Sequence, residues 1–327
     1  MRTFLFFITL ILTALSSTSF AATVKKTAVV MGTDFEMTVV VDDVVMGEKA
    51  FDAAISEMRR IEEEMSEWIP GSPVSKINKD AGIMPVKVSN ELFKVIAAAQ
   101  EVSRLTEGAF DITWAGTRGL WDFTKGKERV PTDEEVKKTR ANVDYRFIEL
   151  DPDKLTVFLK KRGVAIGLGA IAKGYAVDKA MQAVAALGIK NVILKAGGDM
   201  RVQGGDTLDG WKIGIKHPRE KGRLIAKLEL KDISISTSGD YERFFIKDGV
   251  LYHHIIDPST GYPAKGVMSV TVIAPDTMTS DALSTAVFVL GPIKGMALVK
   301  RLKGVEAVIV DSDGRIAASA GVLINRE

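Results

Sequence analysis

The sequence predicts an α+β fold, with mainly antiparallel sheets and helices packed against them. Strand-like runs such as residues 35–41 are interleaved with segments whose apolar residues recur every three or four positions. Hydrophobic residues make up 46% of the chain and charged residues 26%, which is typical of a globular protein. The 327 residues show no clear linker or short-period repeat. They suffice for one large domain or two closely packed lobes, and we expect one folded body over residues 22–327.

The first residues have the pattern of a secretory signal peptide. Arg2 is the only charge before an apolar run at residues 4–15, and small residues around 19–22 suit a signal peptidase. We therefore expect a leader over residues 1–21 and a mature protein exported to the periplasm. A retained membrane anchor is the alternative, although the run is shorter than the roughly 20 residues that span a bilayer. No cysteine is present for lipid attachment, and no later stretch is expected to approach transmembrane length.

The N-terminal half begins with a strand and two helices. Residues 35–41 form the strand, and apolar side chains at helical spacing in residues 48–66 predict the first helix. A polar loop is expected over residues 68–78. A second helix begins after Ser89 or Asn90, both of which are good N-cap residues.

The C-terminal half continues the mixture of helices and strands. A third helix is expected from about residue 172 to residue 187, ending at Gly188, because glycine readily adopts the left-handed conformation that terminates helices. The other predicted elements are strands at 192–194, 224–230, 233–236 and 268–274, helices at 280–290 and 293–303, and a final strand pair that turns at 311–314.

Charge and composition exclude several classes of function. Lys and Arg number 44 against 42 Asp and Glu, and a net charge of +2 gives no electrostatic reason to bind nucleic acid. The absence of cysteine excludes disulfides, zinc–thiolate sites, iron–sulfur clusters and thiol nucleophiles. The only histidines are His217, His253 and His254, too few for a histidine-rich metal site. Any metal must be held mainly by oxygen, as hard cations such as Mg²⁺ and Ca²⁺ are.

A glycine-rich turn at residues 167–175 leads directly into the predicted third helix. Exposed N–H groups and the positive end of a helix favour phosphate there, and Lys173 adds a positive charge. Tight packing is the more common reason for glycines before a helix. The glycines in the segment 196–199 would likewise permit close approach of a ligand or another backbone, although a plain turn is the simpler interpretation.

Asp281 and Thr285 are candidate metal ligands. The predicted helix starts near Ser280, so these two side chains lie one turn apart on the same face. A carboxylate and a hydroxyl so placed offer two oxygen ligands to Mg²⁺, which usually takes water and substrate phosphate as its others. The more common alternative is an acidic residue that complements the dipole in the first turn of a helix.

The run from residue 252 to residue 263 holds two of the three histidines and a turn marked by proline and glycine. A histidine that titrates near neutral pH, beside Asp257, could orient or deprotonate a nucleophile. The alternative is a strand that leads into an Asp-Pro turn, with one histidine facing the interior.

Taken together and in order, these segments resemble the ApbE family, the FAD:protein FMN transferases. The resemblance extends from Met31 to beyond Thr285 and so covers nearly all of the mature chain. Each segment alone is weak, but seven in the right order are specific. They lie at residues 66–78, 108–113, 169–178, 196–199, 236–241, 254–263 and 280–285.

The resemblance implies an ApbE-like, T-fold-related architecture and a Mg²⁺-dependent reaction. Members of the family cleave the pyrophosphate of FAD, attach FMN to a threonine or serine hydroxyl of a target protein through a phosphoester, and release AMP. The targets are exported flavoprotein domains of electron-transfer complexes, such as sodium-pumping quinone reductases and Rnf-type complexes. Membrane association would then be at most through the target. Two alternatives remain open: an FAD pyrophosphatase that releases FMN and AMP, and a non-catalytic FAD-binding protein.

The resemblance also implies which residues hold the metal. Asp281, Thr285 and the backbone carbonyl of Ala170 match the metal ligands of the family. Some relatives carry an aspartate where this chain has Ser284, which leaves a ligand role for Ser284 open.

The acceptor base and the FAD contacts follow from the same resemblance. His254 matches the histidine proposed to assist the acceptor hydroxyl, and Asp257 is the second candidate base, since the ordinary pKa of histidine lies nearer neutral pH. Trp68 falls where relatives often carry tyrosine, and an aromatic ring there favours FAD retention and transfer over hydrolysis. Lys173 can offset charge on the leaving AMP. The residues that match FAD contacts are Met31, Trp68, Ala109, Phe110, Asp111, Gly167, Lys173 and Ile256.

Overall fold

An eight-stranded antiparallel sheet is the centre of the fold. The computed structural model describes residues 22–207 and 209–322, and the predicted leader over residues 1–21 lies outside them. The strands in this part of the chain are β1 (Ala22–Val30), β2 (Thr33–Val41), β3 (Val86–Lys87), β4 (Ile148–Asp151), β5 (Thr156–Leu159), β6 (Asn191–Ala196), β7 (Asp199–Gln203), β8 (Trp211–Lys216), β9 (Leu224–Leu230), β10 (Ile233–Gly239), β11 (Phe244–Lys247), β12 (Val250–His253), β13 (Val267–Ala274), β14 (Glu306–Asp311) and β15 (Ile316–Ala318).

All pairings between these strands are antiparallel. The large sheet has the order β1-β2-β6-β7-β10-β13-β14-β15. Smaller sheets pair β11 with β12, β8 with β9, and β5 with both β3 and β4. Together with the helices, this arrangement confirms the predicted α+β class and its mainly antiparallel sheets.

Short polar residues and glycines bound the helices much as the sequence predicts. Ser89 caps the third helix as predicted, through a side chain that accepts a backbone hydrogen bond. The first helix begins at Val44, before its predicted start at residue 48, and is capped in the same way by Asp43. The fifth helix ends before Gly188, whose φ of 82° is left-handed. The helices are α1 (Val44–Met65), α2 (Pro73–Lys79), α3 (Asn90–Leu105), α4 (Asp133–Arg140), α5 (Ala172–Ala186) and α6 (Thr277–Val299).

The prediction of a polar loop over residues 68–78 was wrong for its second half, which belongs to α2. Ser72 caps this helix through its hydroxyl, and Pro73 occupies its first position, where a missing N–H costs nothing. Although most residues of α2 are polar, the helix has a narrow apolar face, on which Val74 and Ile77 are buried.

The helix α6 covers most of the two helices predicted at 280–290 and 293–303. The predicted interruption is present, because Gly291 has φ 76° and ψ 176°, and Pro292 follows it. Contrary to expectation, α6 is long and apolar enough by composition to cross a membrane. Most of its apolar stretch is buried inside the protein, as in the core helix of a globular fold.

The helices α1, α5 and α6 pack on one face of the large sheet, and the β8–β9 hairpin packs on the other. In β10, Ser234 and Ser236 face α6, where their hydroxyls meet those of Thr277 and Ser280, whereas Ile235 belongs to the apolar cluster beneath β8 and β9. This alternation is the ordinary two-residue period of a strand. On the helical face, α5 packs between α1 and α6, which brings its N-terminus to the ends of β7 and β10.

Candidate active site

The N-terminus of α5 faces two buried carboxylates. In its first turn, the N–H of Gly174 donates to Asp281 Oδ2 over 3.0 Å. Lys173 Nζ lies 2.8 Å from Asp199 Oδ2 and 3.4 Å from Asp281 Oδ2. Each of the two aspartates is only 3% exposed. One ammonium therefore serves two buried carboxylates, and the remaining negative charge favours binding of a further cation.

Burial and mutual repulsion shift the titration of this cluster. Burial and the charge of Asp199 raise the pKa of the Asp281 carboxyl, although Lys173 acts in the opposite direction. Burial by itself would lower the pKa of Lys173, but attraction to the two carboxylates outweighs it and raises that pKa above its ordinary value. Lys173 is therefore a cation at neutral pH. A metal ion next to Asp281 would in turn favour its ionised form.

The helices α5 and α6 are joined at their N-terminal ends. Asp178 of α5 accepts hydrogen bonds from the N–H groups of Thr277 and Met278, both over 2.9 Å. A Cβ at Gly174 would lie 2.3 Å from the carbonyl oxygen of Thr277, so the close approach requires glycine. The contact holds Asp281, one turn further along α6, against the first turn of α5.

Thr285 lies one turn beyond Asp281 on α6, as the helical period predicts. Its Oγ1 is 3.3 Å from Ser238 Oγ on β10. The neighbouring Ser284 donates its hydroxyl to the carbonyl of Asp281 over 2.9 Å and also lies 2.8 Å from Ser238 Oγ. The Ser284 hydroxyl is thus already used within the fold.

The oxygen atoms of Asp281, Thr285 and Ala170 are suitable ligands for Mg²⁺. If the helix extended further back, the N–H of Gly174 would donate to the carbonyl of Ala170. It donates to Asp281 instead, so the Ala170 carbonyl does not accept a hydrogen bond from Gly174. Across residues 22–207 and 209–322, no three His, Asp, Glu or Cys side chains cluster to hold a metal by themselves. A carboxylate, a hydroxyl and a carbonyl, completed by water and substrate phosphate, form the kind of oxygen shell that Mg²⁺ takes.

Two hairpin turns close over the same corner of the sheet. Met31 lies in the turn between β1 and β2 with a left-handed φ of 52°. In the turn between β6 and β7, a Cβ at Gly197 would lie 2.7 Å from Thr33 Oγ1, and one at Gly198 would lie 2.4 Å from a backbone oxygen of β10. These glycines allow the two turns and β10 to approach closely, with Asp199 as the first residue of β7.

Trp68 presents an indole ring to solvent. Its side chain is 66% exposed, and the guanidinium carbon of Arg118 lies 4.3 Å from the ring centroid. Arg118 also forms an ion pair with the buried Glu67, at 3.4 Å, and burial raises the pKa of that carboxyl. The cation holds one face of the indole and leaves an aromatic surface on which a planar ring can stack.

The predicted FAD-contact segment from Ala109 to Asp111 forms a rigid loop. Both carboxylate oxygens of Asp111 accept hydrogen bonds within the fold, from Thr113 and from the N–H of Tyr145. The side chain of Phe110 is buried in the core at 2% exposure. The part of this segment that could meet a ligand is therefore mainly its backbone.

Gly167 connects that loop to the glycine-rich turn before α5. Its N–H donates to the carbonyl of Ile112 over 2.9 Å. A Cβ there would lie 2.7 Å from a carboxylate oxygen of Glu67. The Trp68 segment, the 109–111 loop and the turn into α5 are therefore in direct contact.

The two adjacent histidines have different environments. His253 is fully engaged, with Nε2 2.9 Å from the carbonyl of Ala264 and Nδ1 accepting the N–H of Ile255. His254 Nδ1 is buried and has no hydrogen-bond partner. Burial, with further lowering from His253, Arg243 and Lys173, lowers the pKa of His254 to about 4. At neutral pH its ring is uncharged, so one of its two nitrogens has a lone pair that can accept a proton.

Asp257 and Ile256 belong to the turn that follows. Asp257 Oδ1 accepts the N–H of Ser259 over 2.8 Å, the usual bond of an aspartate that starts a turn. Ile256 pairs with Pro263 across the same turn. The geometry gives Asp257 a structural task that His254 lacks.

The structure brings the predicted residues into two neighbouring groups. Lys173 and Asp281 meet at the N-terminus of α5, with Ala170 just before that helix and Thr285 one turn beyond Asp281 on α6. The charge of Lys173 also acts on His254. Trp68, Gly167 and the 109–111 loop form the adjoining group. Sequence reasoning missed Asp199 and Arg118 as members of the site. A carboxylate directly after a Gly-Gly turn was a signal for Asp199, whereas nothing in the sequence distinguishes Arg118 from other surface arginines.

Comparisons with known proteins identify the family of this chain. The ApbE family matches residues 31–309. The FAD:protein FMN transferase of Treponema pallidum is 36% identical over 268 residues, covering 77% of this chain and 74% of the relative. The enzyme of the same name from Haemophilus influenzae is 32% identical over 313 residues and 90% of each chain.

Solved structures show the same architecture. The crystal structure of the ApbE protein from Thermotoga maritima aligns with a TM-score of 0.85 at 38% identity, covering 92% of this chain and 98% of that one. The flavin transferase ApbE from Vibrio cholerae aligns with a TM-score of 0.78 at 30% identity, covering 92% of this chain and 98% of that one. The family resemblance and the ApbE-like fold inferred from the sequence are thus confirmed, and the chain belongs to the ApbE family.

Proposed function

We propose that this protein is an FAD:protein FMN transferase that uses Mg²⁺ to move FMN from FAD to a threonine or serine hydroxyl of an exported flavoprotein. The observation that carries the proposal is the pairing of a cation site with a free base. Lys173, Asp199 and Asp281 form a buried charged cluster at a helix N-terminus. The charge of Lys173 reaches the neutral His254, which has an unpartnered ring nitrogen. The names of the curated relatives support the transfer of FMN from FAD to a protein.

The binding of FAD follows from the charges and the exposed ring. The pyrophosphate would lie at the N-terminus of α5, where helix N–H groups and Lys173 offset its negative charge. Trp68 would stack on a ring of FAD, and the backbone of the 109–111 loop would contact the nucleotide beside it. Mg²⁺ would be held by Asp281, Thr285 and the Ala170 carbonyl, and when bound it supplies Lewis-acid stabilisation of charge on the phosphates.

The chemical step exchanges a phosphoanhydride bond of FAD for a phosphoester bond to the acceptor. The acceptor oxygen bonds to the phosphorus of the FMN half, and the bond from that phosphorus to the bridging oxygen breaks. AMP leaves with that electron pair, and Lys173 offsets the charge on it. The hydroxyl proton passes to His254, whose lowered pKa keeps the ring neutral and ready to accept it. Asp257 remains the second candidate base.

The setting of the reaction is proposed from the sequence. The leader over residues 1–21 supports export to the periplasm, where the acceptor would be a flavoprotein domain of a quinone-reductase or Rnf-type electron-transfer complex. The balanced charge gives no reason to expect nucleic acid as a partner. Contact with a membrane would come through the acceptor complex.

The test uses purified residues 22–327 with FAD, Mg²⁺ and a recombinant flavin-carrying domain of a sodium-pumping quinone reductase, with an Rnf-type domain in parallel. A mass increase of either domain by one FMN less water, with equimolar AMP, is the expected result. Free FMN and AMP without labelling of either domain would identify a pyrophosphatase instead. FAD binding without turnover would identify a storage protein and overturn the proposal.

A further inference from the structure

The strand β11 has a free edge. Within residues 22–207 and 209–322 it pairs only with β12, and the turn between them is the two residues Asp248 and Gly249, both with left-handed φ. Hydrogen-bonded pairs alternate along such a hairpin, starting at the residues that flank the turn. Phe245 is therefore bonded to β12, whereas the N–H and C=O groups of Phe244 and Ile246 point away from it.

This edge is apolar and borders a groove. Phe244 is 43% exposed and Ile246 is 66% exposed, although apolar edges are usually covered because they invite pairing with another chain. The groove has a volume of about 510 Å³ and separates β11 from residues 123–128. Its lining residues are Phe123, Lys125, Glu128, Phe244, Phe245, Ile246 and Lys247.

An aromatic cluster beneath the hairpin makes the edge rigid. The ring of Phe245 lies 5.3 Å from that of Tyr252 and 5.7 Å from that of Phe123, and Trp121 lies 5.5 Å from Tyr252. Trp121 also donates its indole N–H to the carbonyl of Gly261 over 3.0 Å, in the turn that follows His254. A partner would thus meet a preformed surface, which lowers the entropic cost of binding.

The edge leads to the proposed catalytic base. The carbonyl of Arg243, directly before β11, accepts the N–H of His254, directly after β12. A strand added to the outer side of β11 would lie two strand spacings, about 10 Å, from His254. At about 3.3 Å per extended residue, some three further residues would bring a hydroxyl to that histidine.

We propose that the outer edge of β11 binds an extended segment of the acceptor protein as an additional strand, and that the acceptor hydroxyl lies a few residues beyond this segment. Main-chain hydrogen bonds to Phe244 and Ile246 would provide affinity, as in other cases of strand addition. Lys125 and Lys247 outnumber Glu128 in the groove, so the charge favours a segment that carries a carboxylate. The inference rests on the proposed transfer to a protein.

The experiment compares Ile246→Pro and Ile246→Lys with Ile293→Lys, using the quinone-reductase domain as acceptor. Proline removes the outward N–H without removing a bond to β12. Ile293 is an equally apolar side chain, 86% exposed on α6, and serves as the matched control. Both changes at Ile246 should lower kcat/KM for the acceptor at least tenfold, mainly through KM. The Kd for FAD of both Ile246 variants should stay within twofold of the wild-type value. For Ile293→Lys, kcat, KM and Kd should all stay within twofold of wild type.

Hydrogen exchange supplies a second readout. The amides of Phe244 and Ile246 should gain protection when the acceptor domain is added. Unchanged kcat/KM in both Ile246 variants, or protection that arises from self-association at high concentration without acceptor, would overturn the inference. A wild-type protein that labels no acceptor would instead overturn the proposed function, so the two failures can be distinguished.

Discussion

Asp281 accepts a hydrogen bond from the backbone of Gly174, in the first turn of a different helix, over 3.0 Å. The residue before α5, Ile171, provides no side-chain cap, so a carboxylate from α6 takes part of that role. The proposed metal ligand is therefore also part of the structure that holds the N-terminus of α5. Metal affinity and the position of Lys173 should depend on the same side chain.

Asp281→Asn separates these two roles. The amide oxygen can still accept the Gly174 N–H, but the charge that attracts the metal is gone. We expect flavinylation to fall at least about 100-fold, or about 2.7 kcal/mol of transition-state stabilisation, while the fold is retained. Initial rates at increasing Mg²⁺ concentration, with Asp313→Asn as an exposed control, provide the measurement. Wild-type rates in Asp281→Asn and Asp281→Ala would contradict the metal assignment.

His254→Ala should remove the acid limb of the pH profile. Burial lowers the pKa of His254 to about 4, and His253, Arg243 and Lys173 add to the effect. The wild-type rate should lose the contribution of this group only as the pH falls through about 4. The variant should be slower at neutral pH by about 100-fold or more, the usual range for a general base. An unchanged rate and profile would rule out His254 as the base and favour Asp257.

The same shift predicts a pH-dependent stability. An unfolded histidine has a pKa near 6.5, so between about pH 6.5 and pH 4 the unfolded chain binds more protons at this position than the folded chain. The contribution of His254 to stability is therefore present above that window and lost as the pH falls through it. Urea unfolding of wild type and His254→Ala at several pH values would reveal the difference. Burial also lowers the pKa of His253, so His253→Ala should share this pH dependence in part. It differs in leaving the Ala264 carbonyl unpaired, which should lower stability at neutral pH by about 1–3 kcal/mol.

Trp68→Ala should weaken FAD retention. The exposed indole is held by Arg118 and offers a stacking surface, and loss of such a surface costs about 0.5–1.5 kcal/mol, or roughly a 2- to 13-fold rise in Kd. The ratio of free FMN to labelled acceptor should rise as well. Trp68→Tyr keeps an aromatic ring and should remain near wild type. Fluorescence titration with FAD gives Kd, and an unchanged value in Trp68→Ala would exclude stacking on this ring.

The proposed metal ligands illustrate what could be predicted from the sequence. Asp281 and Thr285 share a face because of the helical period alone, which needs no knowledge of the rest of the fold. The approach of Asp199 to Lys173 depends on the pairing of β7 in the sheet and on the packing of α5 against it. Such contacts join distant segments and leave no periodic pattern.

The two adjacent histidines, and the strands β11 and β12 that were not predicted, show the same limit of sequence-based prediction. His253 and His254 are adjacent in the sequence, and only the Ala264 carbonyl identifies the first as structural. The strands β11 and β12 are four residues each and are stabilised largely by aromatic side chains from a separate loop. The helix boundaries that could be predicted, at Ser89 and Gly188, depend instead on the local chemistry of the backbone.

Gly174→Ala should destabilise the protein by separating α5 from α6. A Cβ at this position would lie 2.3 Å from the carbonyl oxygen of Thr277, and neither helix backbone can move without disturbing the Asp178 bonds to α6. Overpacking of this kind costs about 1–3 kcal/mol. The shift would also carry Asp281 away from Lys173, so flavinylation should fall further than stability alone explains.

Gly169→Ala is the matched control for Gly174→Ala. Gly169 lies in the same turn and has nothing within 4 Å of the added Cβ, so its free energy of unfolding should change by less than about 0.5 kcal/mol. Urea unfolding of the two variants measures the difference directly. Equal stabilities would mean that α5 can move away from α6 at little cost, and that the carboxylate of Asp281 is not held in place by the contact at Gly174.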